Sequence, residues 1–453
     1  MPQDPDLSLL ASATEKLEAE FRSLPGFEPE LGAGADEMAR VLEETAHRLG
    51  DNYPYFHPLY AGQMMKPPHP VARAAYALAM KINPNNHALD GGRASSAMEV
   101  EAVREIAAMF GWKEYLGHLT SGGTFANLEA LWIAGQLRPG QRIVGSEQAH
   151  YTHHRISGVL KLEFTAVAAN ERGRMRLDLL EDELRKGDVG TVVVTLGTTA
   201  MGAVDPLDEI VALAGRYGAR VHVDAAYGGY FNLIQESLDE PARRAYAAMG
   251  GAESVVIDPH KHGLQPYGCG CVLFRDPAVG RFYKHDSPYT YFTSKELHLG
   301  EISLECSRAG AAAVALWATQ RLLPLVPGGE FARGLERGRC AALELDRRLR
   351  EDERFASLAA GAPELDIVVW ALALHAADFR TASDQTRNVF DACARRGLHL
   401  ALVQLPGSWF GFRDGAENGS NVLTCLRSVL IKPEHEAWMS EIWERLSAAR
   451  GEV

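Results

Sequence analysis

Between residues 142 and 274, short β-branched apolar runs alternate with stretches of helical spacing, and this alternation narrows the possible folds more than any other feature. The runs that predict strands are Arg142–Gly145, Phe164–Ala168, Thr191–Leu196, Arg220–Val223, Ser254–Ile257 and Gly270–Phe274. Helical spacing falls between several of them, at Phe125–Gly135, Leu177–Lys186 and Leu207–Tyr217. Strand–helix alternation implies βαβ units and a mostly parallel, buried sheet. Ligands of open α/β sheets collect at the carboxyl ends of the strands.

The flanks are organised differently. Residues 1–50 read as mostly helical, broken at Pro25-Gly26 and at Gly32–Gly34. Residues 51–95 are irregular and rich in Pro, Asn, His and aromatics, apart from a short helix over about 69–81. After a long loop, 276–306, helices are predicted from Ala309 and over Gly328–Arg350. The tail reads strand (Ile367–Ala371), helix (Asp384–Arg396), strand (Val422–Ile431) and a last helix from Pro433. The expected division is an N-terminal arm with loops (1–95), a large sheet domain (96–325) and a small α+β C-terminal domain (326–453).

Charge and composition exclude several roles. With 46 Lys and Arg against 59 Asp and Glu, the net charge is −13, which argues against nucleic acid or an anionic membrane as the main partner. No run approaches the roughly 20 apolar residues of a membrane span. The acidic start lacks the basic and apolar regions of a signal peptide. Cys269, Cys271, Cys306, Cys340, Cys393 and Cys425 form no CxxC pair, so reduced thiols and a cytoplasmic location are expected.

Five short stretches carry the chemistry. Lys261 follows the apolar strand Ser254–Ile257, although most lysines are simply solvated. Asp224 ends another strand and is followed by Ala225-Ala226-Tyr227-Gly228-Gly229, where small residues let a flat group approach. Thr120-Ser121-Gly122-Gly123-Thr124 opens a helix and suits an anion, although an ordinary helix cap has the same composition. It is neither GxGxxG nor a Walker motif, so neither a dinucleotide nor ATP is indicated. His150 follows strand 142–145, and Gly197-Thr198-Thr199 follows strand 191–196. His150 and His154 have helical spacing for two metal ligands, but no HExxH accompanies them, so no metal is expected.

An anion cradle, an aromatic His, a Thr pair, a strand-end Asp and a strand-end Lys are together what pyridoxal 5′-phosphate requires. As they stand, TSGGTFANLEAL, SEQAH, GTTAMGAVDPL, HVDAAYGG, DPHKH and LECSRAGAAAVALW resemble the group II pyridoxal-phosphate-dependent decarboxylases, which act on aromatic amino acids, tyrosine or glutamate. The resemblance spans roughly 50–325. It implies fold type I, aspartate-aminotransferase-like, with a seven-stranded type of sheet.

The resemblance also implies roles. Lys261 forms the Schiff base with the cofactor, Asp224 pairs with the ring nitrogen, His150 stacks on the ring and Ala226 packs on its other face. Gly122, Gly123, Thr124 and His260 hold the phosphate. Thr199 lies near the phenolic oxygen or the substrate carboxylate. Ser307, beside Arg308, comes near the cofactor, and Arg308 is either part of the site or a structural partner of Asp205. A tyrosine on the loop 276–306, Tyr289 or Tyr291 rather than Tyr283, reprotonates the substrate carbon.

Loops at 53–57 (Tyr53, Tyr55, Phe56, His57) suit an aromatic ring, and Asn85, Asn86 and His87 suit a polar side chain. The expectation is decarboxylation of an L-amino acid to the amine and CO2 by a homodimer, an aromatic substrate being favoured over an acidic one. The alternatives are a carbon–carbon lyase of the branch that includes sphingosine-phosphate lyase, because Gly-Leu-Gln-Pro-Tyr-Gly follows DPHKH, and a catalytically silent cofactor-binding protein.

Overall fold

In the computed structural model, residues 6–28, 30, 32–87, 89–284, 299–373, 379–412 and 421–452 are described. The large sheet is built from β1 (Leu116–Thr120), β2 (Arg142–Ser146), β3 (Phe164–Val167), β4 (Val189–Thr195), β5 (Arg220–Asp224), β6 (Ser254–Ile257) and β7 (Gly270–Phe274). Their order across the sheet is β1-β7-β6-β5-β4-β2-β3. The β2–β3, β2–β4, β4–β5 and β5–β6 pairs are parallel, and β7 runs antiparallel to both β6 and β1. The sheet is therefore mostly parallel and seven-stranded, the α/β architecture expected of fold type I.

Every residue of β2, β4, β6 and β7 is buried, which is why these segments read as mainly apolar runs rather than as alternating patterns. The crossover helix Leu207–Tyr217 carries Asp208 and Glu209 in its first turn and stops at Gly218, whose φ of 69° ends the helix without steric cost. Strand β1 was not predicted, because Gly117 and His118 interrupt its apolar pattern. His118 is nonetheless fully buried: its Nε2 meets Glu129 Oε2 at 2.9 Å and its Nδ1 lies 2.8 Å from the Leu119 carbonyl.

A second, antiparallel sheet has the order β10-β11-β9-β8, with β8 (Phe355–Ser357), β9 (Ile367–Leu372), β10 (Ala401–Pro406) and β11 (Val422–Val429). Strands β8 and β10 went unpredicted. The helices Glu330–Glu351, Phe379–Arg395 and His435–Gly451 pack against this sheet. Leu59 and Ala61 belong to the same apolar cluster, and the Ala61 backbone bonds to both His399 and Val429 at 2.8 Å. The irregular segment before residue 95 is thus ordered partly by the second sheet.

Trp370 anchors that cluster. It is fully buried, meets Phe355 edge-on at 5.3 Å and donates from Nε1 to Ser428 Oγ at 3.2 Å. Trp370→Ala is expected to cost about 3–5 kcal/mol, read as a lower urea midpoint with an unchanged slope.

Candidate active site

The sheet topology aligns strand ends. The carboxyl ends of β2, β4, β5 and β6 lie along one edge, and so does that of β1, because the reversed β7 separates it from β6. From that edge come, in turn, His150, Thr199, Asp224, Lys261 and the cradle 121–124. They line one cavity of about 430 Å3, within the range of small-molecule sites.

Asp224 ends β5, the middle strand. Its Oδ2 accepts from His153 Nε2 at 2.7 Å and from Asn127 Nδ2 at 3.3 Å, and its Oδ1 accepts from the Ala226 amide at 3.1 Å. Behind it, the Ser254 hydroxyl meets His222 Nδ1 at 2.8 Å, and His222 Nε2 meets Asn127 Oδ1 at 2.8 Å. Asn127 presents an acceptor to His222, so the network assigns the proton to His222 Nε2. Burial pushes the His222 pKa down to about 3, which keeps the ring neutral. Burial of Asp224 favours its neutral acid, but the His153 hydrogen bond and charge, with Lys261 and the Ala226 amide, outweigh it. The carboxylate is held well below the usual Asp range and stays ionised.

Lys261 lies in the turn after β6, with its Nζ 3.1 Å from Asp258 Oδ2. Burial lowers its pKa, but Asp258 and Asp224 more than offset this and hold it above the ordinary lysine value. His150 Nδ1 is 2.7 Å from Thr152 Oγ1, and burial foremost, with Lys261 and His153, keeps its pKa low. His260 Nδ1 bonds to the Cys269 carbonyl at 2.8 Å, and its ring lies 4.6 Å from that of Tyr267.

The cradle is the amino end of the helix Gly123–Leu137. A Cβ on Gly123 would come within 2.6 Å of Asp258 Oδ2, and one on Gly270 within 2.5 Å of the Gly122 carbonyl carbon. Both glycines are needed for close approach. Thr195 Oγ1 and Asp258 Oδ1 are buried without a partner, and both residues line the cavity. An amine, an ionised carboxylate held by three donors, a helix amino end and an imidazole facing one cavity form a donor set that fits pyridoxal phosphate. Gly123→Ala is expected to displace Asp258 and weaken cofactor binding by about tenfold or more, as measured by cofactor titration.

Of the residues singled out in the sequence, Gly122, Gly123, Thr124, His150, Thr199, Asp224, Ala226, His260 and Lys261 all line the cavity. Ser307 does not: it is exposed, and its hydroxyl accepts from Asn85 at 3.2 Å. Arg308 pairs with Glu99 at 3.1 Å rather than with Asp205, which instead accepts the Met175 and Thr195 amides. Tyr283 is buried and donates to Glu129 at 2.9 Å, whereas Tyr289 and Tyr291 lie outside the described residues. Neither early loop lines the cavity. Tyr53 and Tyr55 pack around Tyr60, and Asn86 is buried against Glu99 at 2.7 Å.

Sequence reasoning missed His153, Asp258 and Arg427. His153 faces inward with Ile156 and Ser157 on the helix Thr152–Leu160, a spacing that marks the buried face. Arg427 donates to the Thr199 carbonyl at 2.8 Å and to Gly62 and Gln63 oxygens at 3.3 Å, and so ties the second sheet to the Thr199 loop. Nothing near Arg427 in sequence signals that role.

Fold and site together define an α/β protein of fold type I organised around a strand-end lysine. The model of the pyridoxal-dependent decarboxylase conserved domain matches residues 134–373, and the chain belongs to that family. An L-tyrosine decarboxylase of Enterococcus faecium is 28% identical, over 66% of this chain and 65% of that protein. A probable L-tyrosine/L-aspartate decarboxylase of Methanoregula boonei is 32% identical, over 54% of this chain and 66% of its own length. The chain thus spans slightly less than two thirds of the length of these relatives. The crystal structure of mouse CSAD superposes with a TM-score of 0.79 at 21% identity, covering 96% of this chain and 91% of that one, which shows the shared fold.

Proposed function

We propose that this protein decarboxylates an L-amino acid to its amine and CO2, with an aromatic substrate favoured over an acidic one. The observation that carries the reading is the convergence of Lys261, ionised Asp224 and His150 on one cavity. Phe125 and Tyr227 in the lining, and the similarity to tyrosine decarboxylases, support an aromatic substrate.

In this reading the Lys261 amine holds the cofactor covalently, and Asp258 Oδ2, 3.1 Å away, orients it. Gly122, Gly123 and Thr124 hold the phosphate with His260 beside them, and Thr199 borders the substrate. His150 and Ala226 bound the two faces of the ring. Asp224 keeps a proton on the ring nitrogen, with His153 and Asn127 fixing the carboxylate. When bound, the cofactor supplies an electron sink for the pair left as CO2 departs. The product carbon is reprotonated by Tyr289 or Tyr291, with Tyr291 slightly favoured.

The test is to incubate purified protein with pyridoxal phosphate and a panel of L-amino acids and identify products by mass spectrometry. One amine formed with loss of CO2 is the expected result. Cofactor absorption with no amine from any amino acid would overturn the reading and favour the carbon–carbon lyase.

The working unit in this reading is a homodimer. The helix Ala35–Leu49 supports this, because it buries none of its residues and leaves Met38, Val41, Leu42 and Leu49 exposed. Sedimentation should give twice the chain mass, and Leu42→Asp should shift it toward the monomer.

A further inference from the structure

Beside the substrate cavity lies a second one of about 260 Å3. Lys261 lines the first and its neighbour His262 lines the second. Two lysines, Lys66 and Lys432, face the second cavity. Lys432 is only 2% exposed, and its Nζ donates to the Tyr60 carbonyl at 2.6 Å. The Lys66 amine reaches only the Ile431 carbonyl, at 3.5 Å. Among the described residues, the lysines that form ion pairs are Lys81, Lys186 and Lys261, and neither Lys66 nor Lys432 is among them.

Withdrawing an ammonium group from water without a counter-charge is costly, and proteins usually pair such groups. Here two share one cavity. Burial draws the Lys66 pKa down to about 8, with Asp366 and Glu434 opposing it. Burial brings Lys432 down to about 7, with Glu434 opposing it and the Lys66 charge adding to it. Glu434 also lines the cavity and is the nearest opposite charge common to both amines, and the other charged or titratable groups around it are already engaged or flank it. His262 bonds to Asp366 at 2.8 Å, Asp366 also accepts from Tyr227 at 2.6 Å, and Glu330 pairs with Arg333 and Arg337. His435 Nδ1 meets the Lys432 amide at 3.2 Å, and His69 Nδ1 caps its own helix through the Val71 amide at 3.1 Å. The remaining walls are apolar, from Pro67, Pro68, Phe331 and Leu335.

We propose that this cavity binds a small organic carboxylate, its oxygens held by Lys66 and Lys432 and its carbon body lying against Pro67 and Phe331. The charged oxygens meet two amines that lack an ion pair, and the apolar walls favour an organic anion over a fully hydrated one. The site is separate from the decarboxylase reading and stands or falls without it.

The test is calorimetry of cofactor-loaded protein with butyrate as probe, at constant ionic strength set with chloride. Saturable binding is expected at pH 7, weakening about a hundredfold or more by pH 9 as both Lys432 and Lys66 lose their protons. At pH 8 the heats in two buffers of different ionisation enthalpy should reveal net proton uptake, because a bound carboxylate favours the charged amines. Lys66→Gln should weaken binding at least tenfold, and Lys432→Met likewise, while Lys261→Ala should retain it. No saturable binding, loss in Lys261→Ala with retention in Lys66→Gln, or inorganic phosphate binding more tightly than butyrate would each overturn the proposal. If the cavity variants do not fold, proton uptake by the wild-type protein decides, and its absence counts against the site.

Discussion

Lys261→Ala is expected to lose the visible absorption of the protein-bound cofactor together with turnover. The absorption arises only where the cofactor is joined to an amine, and Lys261 is the only lysine lining the cavity among the described residues. Turnover should fall by roughly 10^4-fold or more, the scale seen when a covalent group is removed from an intact site. Binding need not vanish with it, because Asp224 and the helix end at Gly123 remain. The expected pattern is thus weakened, non-covalent cofactor on an otherwise folded protein, read by absorption, gel filtration and a retained cooperative melting transition of the apo form. Retention of both absorption and turnover would remove the central assignment.

The charge state of Lys261 gives this result a pH signature. Its folded pKa lies above the ordinary lysine value, because Asp258 and Asp224 outweigh its burial. The amine is therefore charged at neutral pH, and the neutral form that attacks an aldehyde grows as pH rises. Loading of apo protein should accelerate from pH 7 to pH 9. The associated stability has the opposite sign: a raised pKa contributes fully below the unfolded value and is lost as pH rises through the folded one. Faster loading and declining apo stability should therefore appear together on the alkaline side, and both trends should be absent in Lys261→Ala.

The sequence made the large sheet legible because its strands are buried on both faces, so period and composition carried the same message. It failed at β1, where a buried histidine reads as polar until Glu129 is seen against it. It failed again at β10, where only Ala401 and Leu405 are buried. Lys261, Asp224 and the cradle were legible because each directly follows or opens a regular element. His153 was not. The sequence drew attention to His150 and His154, whereas His153, on the helix Thr152–Leu160, is the one that meets Asp224. Residues that act through another side chain leave only the buried-face pattern of their helix as a signal. Arg427 leaves less still, since its partner carbonyl is 228 positions away.

Asp224→Asn preserves the shape of the side chain and removes its charge, so it isolates the electrostatic part of the site. In the wild type, the carboxylate sits at the centre of the sheet with two side-chain donors, His153 and Asn127, and one backbone donor, the Ala226 amide. An asparagine there can present its oxygen to His153 but offers no negative charge to a protonated ring nitrogen. Turnover at saturating cofactor should drop by roughly 10^2–10^3-fold, the scale for removing one charge-stabilising contact from a preorganised site. Cofactor affinity should fall as well, because in the proposed reading the same charge holds the ring. The pH profile separates this from a general loss of structure. Asp224 has a depressed pKa, so it is ionised above the ordinary Asp range, and its stabilising contribution is lost only as pH falls through the folded value. The wild-type rate should therefore show no limb from Asp224 between pH 5 and pH 9, and the variant should be slower by the same factor throughout. His153→Gln, which keeps Asp224 but removes its strongest donor, should lie between the two. If Asp224→Asn turns over normally, the ring nitrogen is served by another group and the role given to the His153–Asp224 pair is wrong.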